Sequence, residues 1–243
     1  MRKLFLFCIF CCAAPLIFGM EIFVHSGNNN TGSLCQAVQI SDTWFMTAAH
    51  CVVPYCASSS CEVEIPTGKV TGKDVHWLNK AQTNKTYYDI AVINFKGVQG
   101  LPSGNYPSIV IVKDNDITEP KTLNKSLSVS YSGGVGEGKI NSFGPLFYGP
   151  KNKIIYTKEF GLIHGVSGAG VFSRYNELIS VVSGIAGQDS NAEFSVFSVF
   201  DEEVKRFLNS NNIPGLRFTY LDKKDFSSVT EQYKEKVYSL DNN

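Results

Sequence analysis

Three short segments of this 243-residue sequence carry side chains able to do chemistry together. In Thr43-Trp44-Phe45-Met46-Thr47-Ala48-Ala49-His50-Cys51, a histidine follows two small residues at the end of an apolar run. An imidazole titrates near neutrality and so suits a general base; Ala48 and Ala49 allow tight packing around it. In Tyr88-Asp89-Ile90-Ala91-Val92-Ile93, an aspartate heads an apolar strand-like run. A carboxylate buried there needs hydrogen-bond partners, and a histidine is one that it would also orient. In Gly161-Leu162-Ile163-His164-Gly165-Val166-Ser167-Gly168-Ala169-Gly170, a serine sits among glycines that let the backbone turn sharply and bring its N–H groups to one side. A hydroxyl, an imidazole and a carboxylate make up the set needed for acyl transfer through a covalent intermediate. Each segment alone is ordinary protein, since an aspartate before a strand and a serine in a glycine turn are commonplace. His25 and His76 lack comparable context and read as structural.

Together these segments resemble those of the chymotrypsin-like (trypsin-like) serine proteases, over roughly residues 32 to 210. The order His50, Asp89, Ser167 is that of chymotrypsin; α/β-hydrolases run serine, acid, histidine, and subtilisins run aspartate, histidine, serine. The resemblance implies an all-β fold of two antiparallel six-stranded β-barrels packed side by side, the first carrying His50 and Asp89 and the second Ser167, with a C-terminal α-helix and a polar C-terminal extension. It implies a Ser-His-Asp triad, an oxyanion hole of the Gly165 and Ser167 N–H groups, and in Val181-Val182-Ser183-Gly184 a serine, Ser183, that helps hold the aspartate. The implied activity is a secreted serine endopeptidase acting on polypeptides without a cofactor. The competing reading is a catalytically silent relative that binds a host or cell-surface partner through the same fold.

Some positions depart from the pattern. Val166 stands where animal digestive proteases carry an aspartate that receives a freed N-terminal ammonium, which points to a compact bacterial-type member whose oxyanion loop has other support. Ala169 replaces the usual second glycine after the nucleophile. By the same resemblance the substrate pocket has its base near Gly161 and Leu162, with Ser183, Gly184, Ile185 and about Ser195 as walls and His164 at the rim. No aspartate lies at the base, so a buried cationic side chain would lack a counter-charge. Val182 occupies the place of the glutamate-reading histidine of glutamyl endopeptidases, and His164 is the substitute within reach. Uncharged side chains of small or medium size are therefore expected in the pocket.

Arg2 and Lys3 precede an almost unbroken apolar run, Leu4 to Phe18, closing on Gly19. This is the anatomy of a secretory signal peptide, shorter than the ~20 apolar residues of a spanning helix. Cleavage is expected between Phe18 and Glu21, giving an extracytoplasmic (secreted or periplasmic) protein with no membrane insertion after processing. Removal takes away Cys8, Cys11 and Cys12 and leaves Cys35, Cys51, Cys56 and Cys61, an even set that suggests two disulfides in an oxidising compartment. Their spacings match no common zinc-ligand pattern, and no metal is expected. Cys35, sixteen residues before Cys51, matches a family disulfide, which leaves Cys56 with Cys61. Formal charge is zero, and loss of Arg2 and Lys3 leaves two more acids than bases, so nothing draws the chain to nucleic acid or anionic membrane. A monomer is expected.

The elements that must position these residues are short β-rich runs separated by turn residues: Cys61 to Ile65, Asp89 to Phe95, Ser108 to Val112, Leu127 to Tyr131, Leu178 to Ser183 and Phe194 to Phe200. Helical periodicity starts only at Asp201, with an acidic first turn and an apolar stripe of Val204, Phe207 and Leu208. Ser132 to Gly138 is glycine-rich, yet no Lys-Ser/Thr follows, so a hairpin or irregular loop is expected and not a phosphate loop. The chain divides into a signal peptide (1–19), an N-terminal barrel (20–105), a C-terminal barrel with helix (106–210) and an appended polar segment (211–243).

Overall fold

The computed structural model describes residues 19–26, 32–57, 60–78, 88–113, 117–131, 138–142, 145–158, 165–186 and 194–242, with backbone only for 138–142, 185–186 and 241–242. The signal segment 1–18 and the pocket residues Gly161, Leu162 and His164 lie outside this set.

Seven strands form the first sheet: β1 (Met20–Ser26), β2 (Gly32–Gln39), β3 (Trp44–Thr47), β4 (Cys61–Ile65), β5 (Gly68–Thr71), β6 (Val75–Trp77) and β7 (Ala91–Asn94). Their spatial order is β5-β4-β1-β2-β3-β7-β6, and every pair is antiparallel. Strand β4 shows why the sheet curls around a core: Cys61, Val63 and Ile65 alternate inward while Glu62 and Glu64 face out. Inside pack Ile22, Val24, Phe45, Val63, Ile93 and Phe95 with both disulfides.

The second sheet has eleven strands: β8 (Ile109–Val112), β9 (Lys121–Leu123), β10 (Leu127–Tyr131), β11 (Gly138–Ser142), β12 (Leu146–Gly149), β13 (Ile154–Thr157), β14 (Gly170–Ser173), β15 (Leu178–Ala186), β16 (Phe194–Val199), β17 (Phe218–Leu221) and β18 (Phe226–Ser228). The main path is β11-β10-β14-β15-β16-β13-β12-β9-β18, with β8 attached to β15 and β17 to β8. Strands β10 and β11, on either side of the glycine-rich stretch, pair antiparallel from Leu127↔Ser142 to Tyr131↔Gly138, and residues 132–137 between them lie outside the described set.

The two barrel-like sheets and the β-dominated architecture are those the sequence implies. Among the described residues the strand numbers are larger, seven and eleven instead of six each, and the second sheet is not wholly antiparallel, because β8 runs parallel to both β15 and β17. Two of the additional strands, β17 and β18, come from the polar C-terminal segment, which is built into the second sheet. Strand β17 buries Leu221 fully and packs half-buried Phe218 against the seam cluster, and β18 buries only Phe226, so neither reads as a long apolar alternation in the sequence. Helix α3 (Glu231–Asn242) then lies on the outer face, with Val237 buried beside Phe147, Ile154, Tyr156, Phe194 and Val196, and Tyr233 stacked on Phe147.

Helix α2 (Glu202–Ser210) begins where expected, capped by the Asp201 side chain, which accepts from the Glu203 and Val204 N–H groups. Helix α1 (Ala49–Cys56) carries no such signal in the sequence. It is a two-turn helix without a capping side chain, contains Pro54, and draws its stability from packing against the first sheet.

A third core cluster joins the sheets. Val38, Trp44, Met46, Tyr88, Ile90 and Val92 of the first meet Ile109, Ile111, Phe172, Leu178, Val181 and Phe200 of the second, with Val204 and Leu208 of α2. This seam positions the candidate site, since Asp89 lies between two of its members.

Candidate active site

His50 is the second residue of α1. The first N–H groups of a helix have no intrahelical acceptor, and Ala48 has no side chain to supply one. Asp89 fills that role from another segment: its Oδ1 accepts the His50 backbone N–H at 2.7 Å. Its Oδ2 lies 2.6 Å from His50 Nδ1 and accepts the Ser183 hydroxyl at 2.5 Å. Asp89 is only 4 % exposed, and these three contacts with polar groups meet the demand that burial creates. The Asp89 N–H in turn donates to Ser198 Oγ at 3.3 Å.

Ser183 reaches Asp89 because β15 is irregular there. Val182 pairs with Phe197 and Gly184 with Val196, which leaves Ser183 as the extra residue of a bulge. Such a bulge re-aims a side chain that regular pleating would send elsewhere. Val182 stays in the second core, and beside Ser183 no described atom comes within 4 Å of a Cβ built on Gly184.

Burial by itself would push the His50 imidazole down; the hydrogen bond to Asp89 and the charge of that carboxylate outweigh it and hold the ring above the ordinary histidine range. The imidazolium form is thus favoured when the ring takes up a proton.

Ser167 sits in a turn that the second sheet holds by main-chain bonds. Gly168 N–H donates to Val182 O at 2.7 Å, Val182 N–H to Ala169 O at 2.9 Å, and Ala169 N–H to Val166 O at 3.0 Å. The Ser167 carbonyl accepts from Gln36 N–H of the first sheet at 2.7 Å, so the turn is tied to both halves. Gly165 and Gly168 have φ of 87° and 83°, a region disfavoured for side-chain-bearing residues. At Gly168 space also forbids a side chain, because a Cβ would lie 2.1 Å from Gln36 O and 2.2 Å from Thr47 Oγ1. Among the described residues the Gly165 and Ser167 N–H groups have no hydrogen-bond partner. Val166 is buried in the second core, and Ala169 is accommodated there as well.

The histidine and serine segments meet at a disulfide. Cys35 and Cys51 are bonded, and Cys51 Sγ lies 3.8 Å from His50 Nε2 and 3.9 Å from the Ser167 carbonyl oxygen. Among the described residues no hydrogen bond joins Ser167 Oγ to His50. Cys56 is bonded to Cys61 at the far end of α1. Among the described residues, Cys35, Cys51, Cys56 and Cys61 are all in disulfides and so none of these four is a thiolate that could bind zinc. His25, Glu62 and Glu64 cluster on the outer face of β1 and β4, where Lys69 pairs with Glu62 at 2.7 Å.

Of the expected pocket residues, Ser183 reaches Asp89 from β15, Gly184 pairs with Val196, and the Ile185 backbone pairs with buried Ser195 of β16. Sequence reasoning missed two contacts. Gln36, a buried amide in β2, supplies the N–H that anchors Ser167, and Tyr88 and Asp201 form a buried pair beside Asp89. A tyrosine next to the aspartate was the only signal for the second; a main-chain donor such as Gln36 leaves no signal.

A two-sheet β fold with this histidine–aspartate–serine arrangement along the seam is the architecture of a chymotrypsin-like protease. The family model described as Trypsin matches residues 19–207, and the chain belongs to that family. Among solved structures it is similar to the protease Anisep from Arthrobacter nicotinovorans, at 17 % identity and a TM-score of 0.59 over 81 % of this chain and 95 % of that one. A Glu endopeptidase in complex with MPD has 17 % identity and a TM-score of 0.53, covering 82 % and 91 %. The scabies mite inactivated protease paralogue S-I1 has 16 % identity and a TM-score of 0.53, covering 79 % and 94 %. At such identities these likenesses are ones of fold. Comparison with curated protein sequences found no match.

Proposed function

We propose that the protein is an exported serine endopeptidase that works through an acyl-enzyme on Ser167, with His50 as the base and Asp89 as the group that orients it. The observation that carries this reading is the Asp89 carboxylate, which grips both the main chain and the Nδ1 of His50 while Ser183 holds it from the second sheet. Nδ1–H directed at Asp89 leaves Nε2 as the free lone pair, the tautomer a general base needs.

His50 Nε2 takes the Ser167 proton as Oγ attacks the peptide carbonyl carbon. The resulting imidazolium is stabilised by Asp89, and the carbonyl oxygen, now negative, accepts from the Gly165 and Ser167 N–H groups. Collapse passes the His50 proton to the leaving amine and leaves an ester on Ser167. Water, deprotonated by the same imidazole, then releases the acyl group.

Export rests on the charged and apolar residues of segment 1–19, and the two disulfides fit an oxidising compartment. We assign 20–105 to the unit carrying His50 and Asp89 and 106–210 to that carrying Ser167, with 211–243 attached to the latter through β17 and β18. Substrate side chains preceding the scissile bond would be uncharged, because the pocket assigned to Gly161, Leu162, Ser183, Gly184 and Ile185 has no counter-charge at its base.

The test is a peptide library varied at the residue before the cleaved bond, incubated with the mature protein and with Ser167→Ala. Cleavage after small or medium uncharged residues, lost in Ser167→Ala, is expected. Undiminished cleavage by Ser167→Ala would contradict the mechanism. Cleavage chiefly after Arg or Lys would overturn the pocket, and cleavage chiefly after Glu would identify His164 as an anion reader.

A further inference from the structure

We infer that Tyr88 is a positioning residue for the His50–Asp89 couple, acting through its hydrogen bond to Asp201 at the start of α2. The inference deepens the proposed function and rests on it for its catalytic consequence, though not for its effect on His50 itself.

Asp89 sits at the end of a segment of the first sheet, yet it is aligned by groups of the second. Three hydrogen bonds cross the seam within two residues: Tyr88 OH to Asp201 Oδ2, Asp89 N–H to Ser198 Oγ, and Ser183 OH to Asp89 Oδ2. The first has the most rigid acceptor. Asp201 is 6 % exposed, and its other oxygen takes the Glu203 and Val204 N–H groups at 2.9 and 3.0 Å, so the first turn of α2 fixes the carboxylate. Val204 and Leu208 lock that helix into the same cluster that holds the Tyr88 ring and Ile90 on either side of Asp89. A tyrosine clamped at both ring and hydroxyl leaves its chain neighbour little freedom to drift from His50.

The chemistry of the pair is one-directional. Burial, the hydrogen bond to Asp201, the nearby charges of Asp201 and Glu203 and a further side-chain hydrogen bond with Glu203 all push the Tyr88 hydroxyl upward, so it stays a proton donor throughout any working pH. Tyr88 is then the constant donor of this contact. The charged group that acts on His50 is Asp89. If Asp89 loosens, the influence that holds His50 above its ordinary range weakens, and burial, which lowers it, remains.

The experiment is an NMR titration of the His50 ring in the mature protein and in Tyr88→Phe, which keeps the ring and deletes only the hydroxyl. Asp201→Asn is the second variant, because Asn still caps α2. In Tyr88→Phe, His50 should titrate lower by about half a pH unit or more. Turnover per fluorophosphonate-titrated site should fall about tenfold or more with KM little changed, since the loss falls on the oriented base. Asp201→Asn should move His50 the same way, and the double variant should be no worse than Tyr88→Phe. A His50 titration unchanged in Tyr88→Phe overturns the inference, even where thermal stability drops, because a merely structural hydroxyl would alter stability alone. A shifted titration in a protein whose Ser167 neither labels nor turns over would keep the positioning role and overturn the protease reading instead.

Discussion

The two segments that converge on the site are held in opposite ways. His50 rides on a short helix that is covalently stapled at both ends, Cys51 to Cys35 and Cys56 to Cys61, and receives Asp89 as a distant cap. Ser167 has no covalent tie. Its turn depends on two glycines with positive φ, on main-chain bonds to Val182, and on the Gln36 N–H that grips its carbonyl. One side is secured by added bonds, the other by the absence of side chains. Removing a staple should therefore weaken the molecule by degrees, whereas adding one methyl to the serine turn should disrupt it.

Gly168→Ala tests the second half of that contrast and carries the largest expected effect. Its new methyl would meet Gln36 O and Thr47 Oγ1 while the backbone keeps a disfavoured φ. The combined cost is about 4 kcal/mol. Denaturant unfolding reads it, and a loss under about 1 kcal/mol would show that the turn is held less tightly than its contacts imply.

The staples rank below it. Replacing Cys35 and Cys51 together by Ser should cost about 3 kcal/mol by loop-closure entropy, and replacing Cys56 and Cys61 about 2 kcal/mol, because the second loop is shorter. Equal or reversed losses, measured by the same unfolding, would mean that packing of Cys51 between His50 and Ser167 does not matter and that loop length does not set the order.

The same contrast explains what the sequence discloses. Histidine before cysteine, an aspartate before an apolar strand and a serine among glycines each leave a mark at fixed positions, so the three segments stand out in the order of residues, and the disulfide pairing follows from what their resemblance to the family implies. Contacts made by main chain or by irregular backbone leave none. The bulge that turns Ser183 toward Asp89 depends on strand register, and Gln36 reaches Ser167 through its backbone N–H. Helix α1 is too short and lacks a capping side chain. The C-terminal segment is polar enough to look like an appendage, yet it joins the second sheet through main-chain pairing of β17 and β18, with few inward apolar residues in either.

The most direct test of the central claim, that these two differently held segments form one acylation site, is reaction of the mature protein with a fluorophosphonate followed by mapping of the adduct. The label should sit on Ser167, be absent in Ser167→Ala, and form slowly in His50→Ala. Its rate should fall as pH drops through the ionisation of His50, which lies above the ordinary histidine range because Asp89 holds the ring, since only the neutral imidazole accepts the serine proton. Labelling at another residue, or a rate indifferent to the loss of His50, would contradict the account.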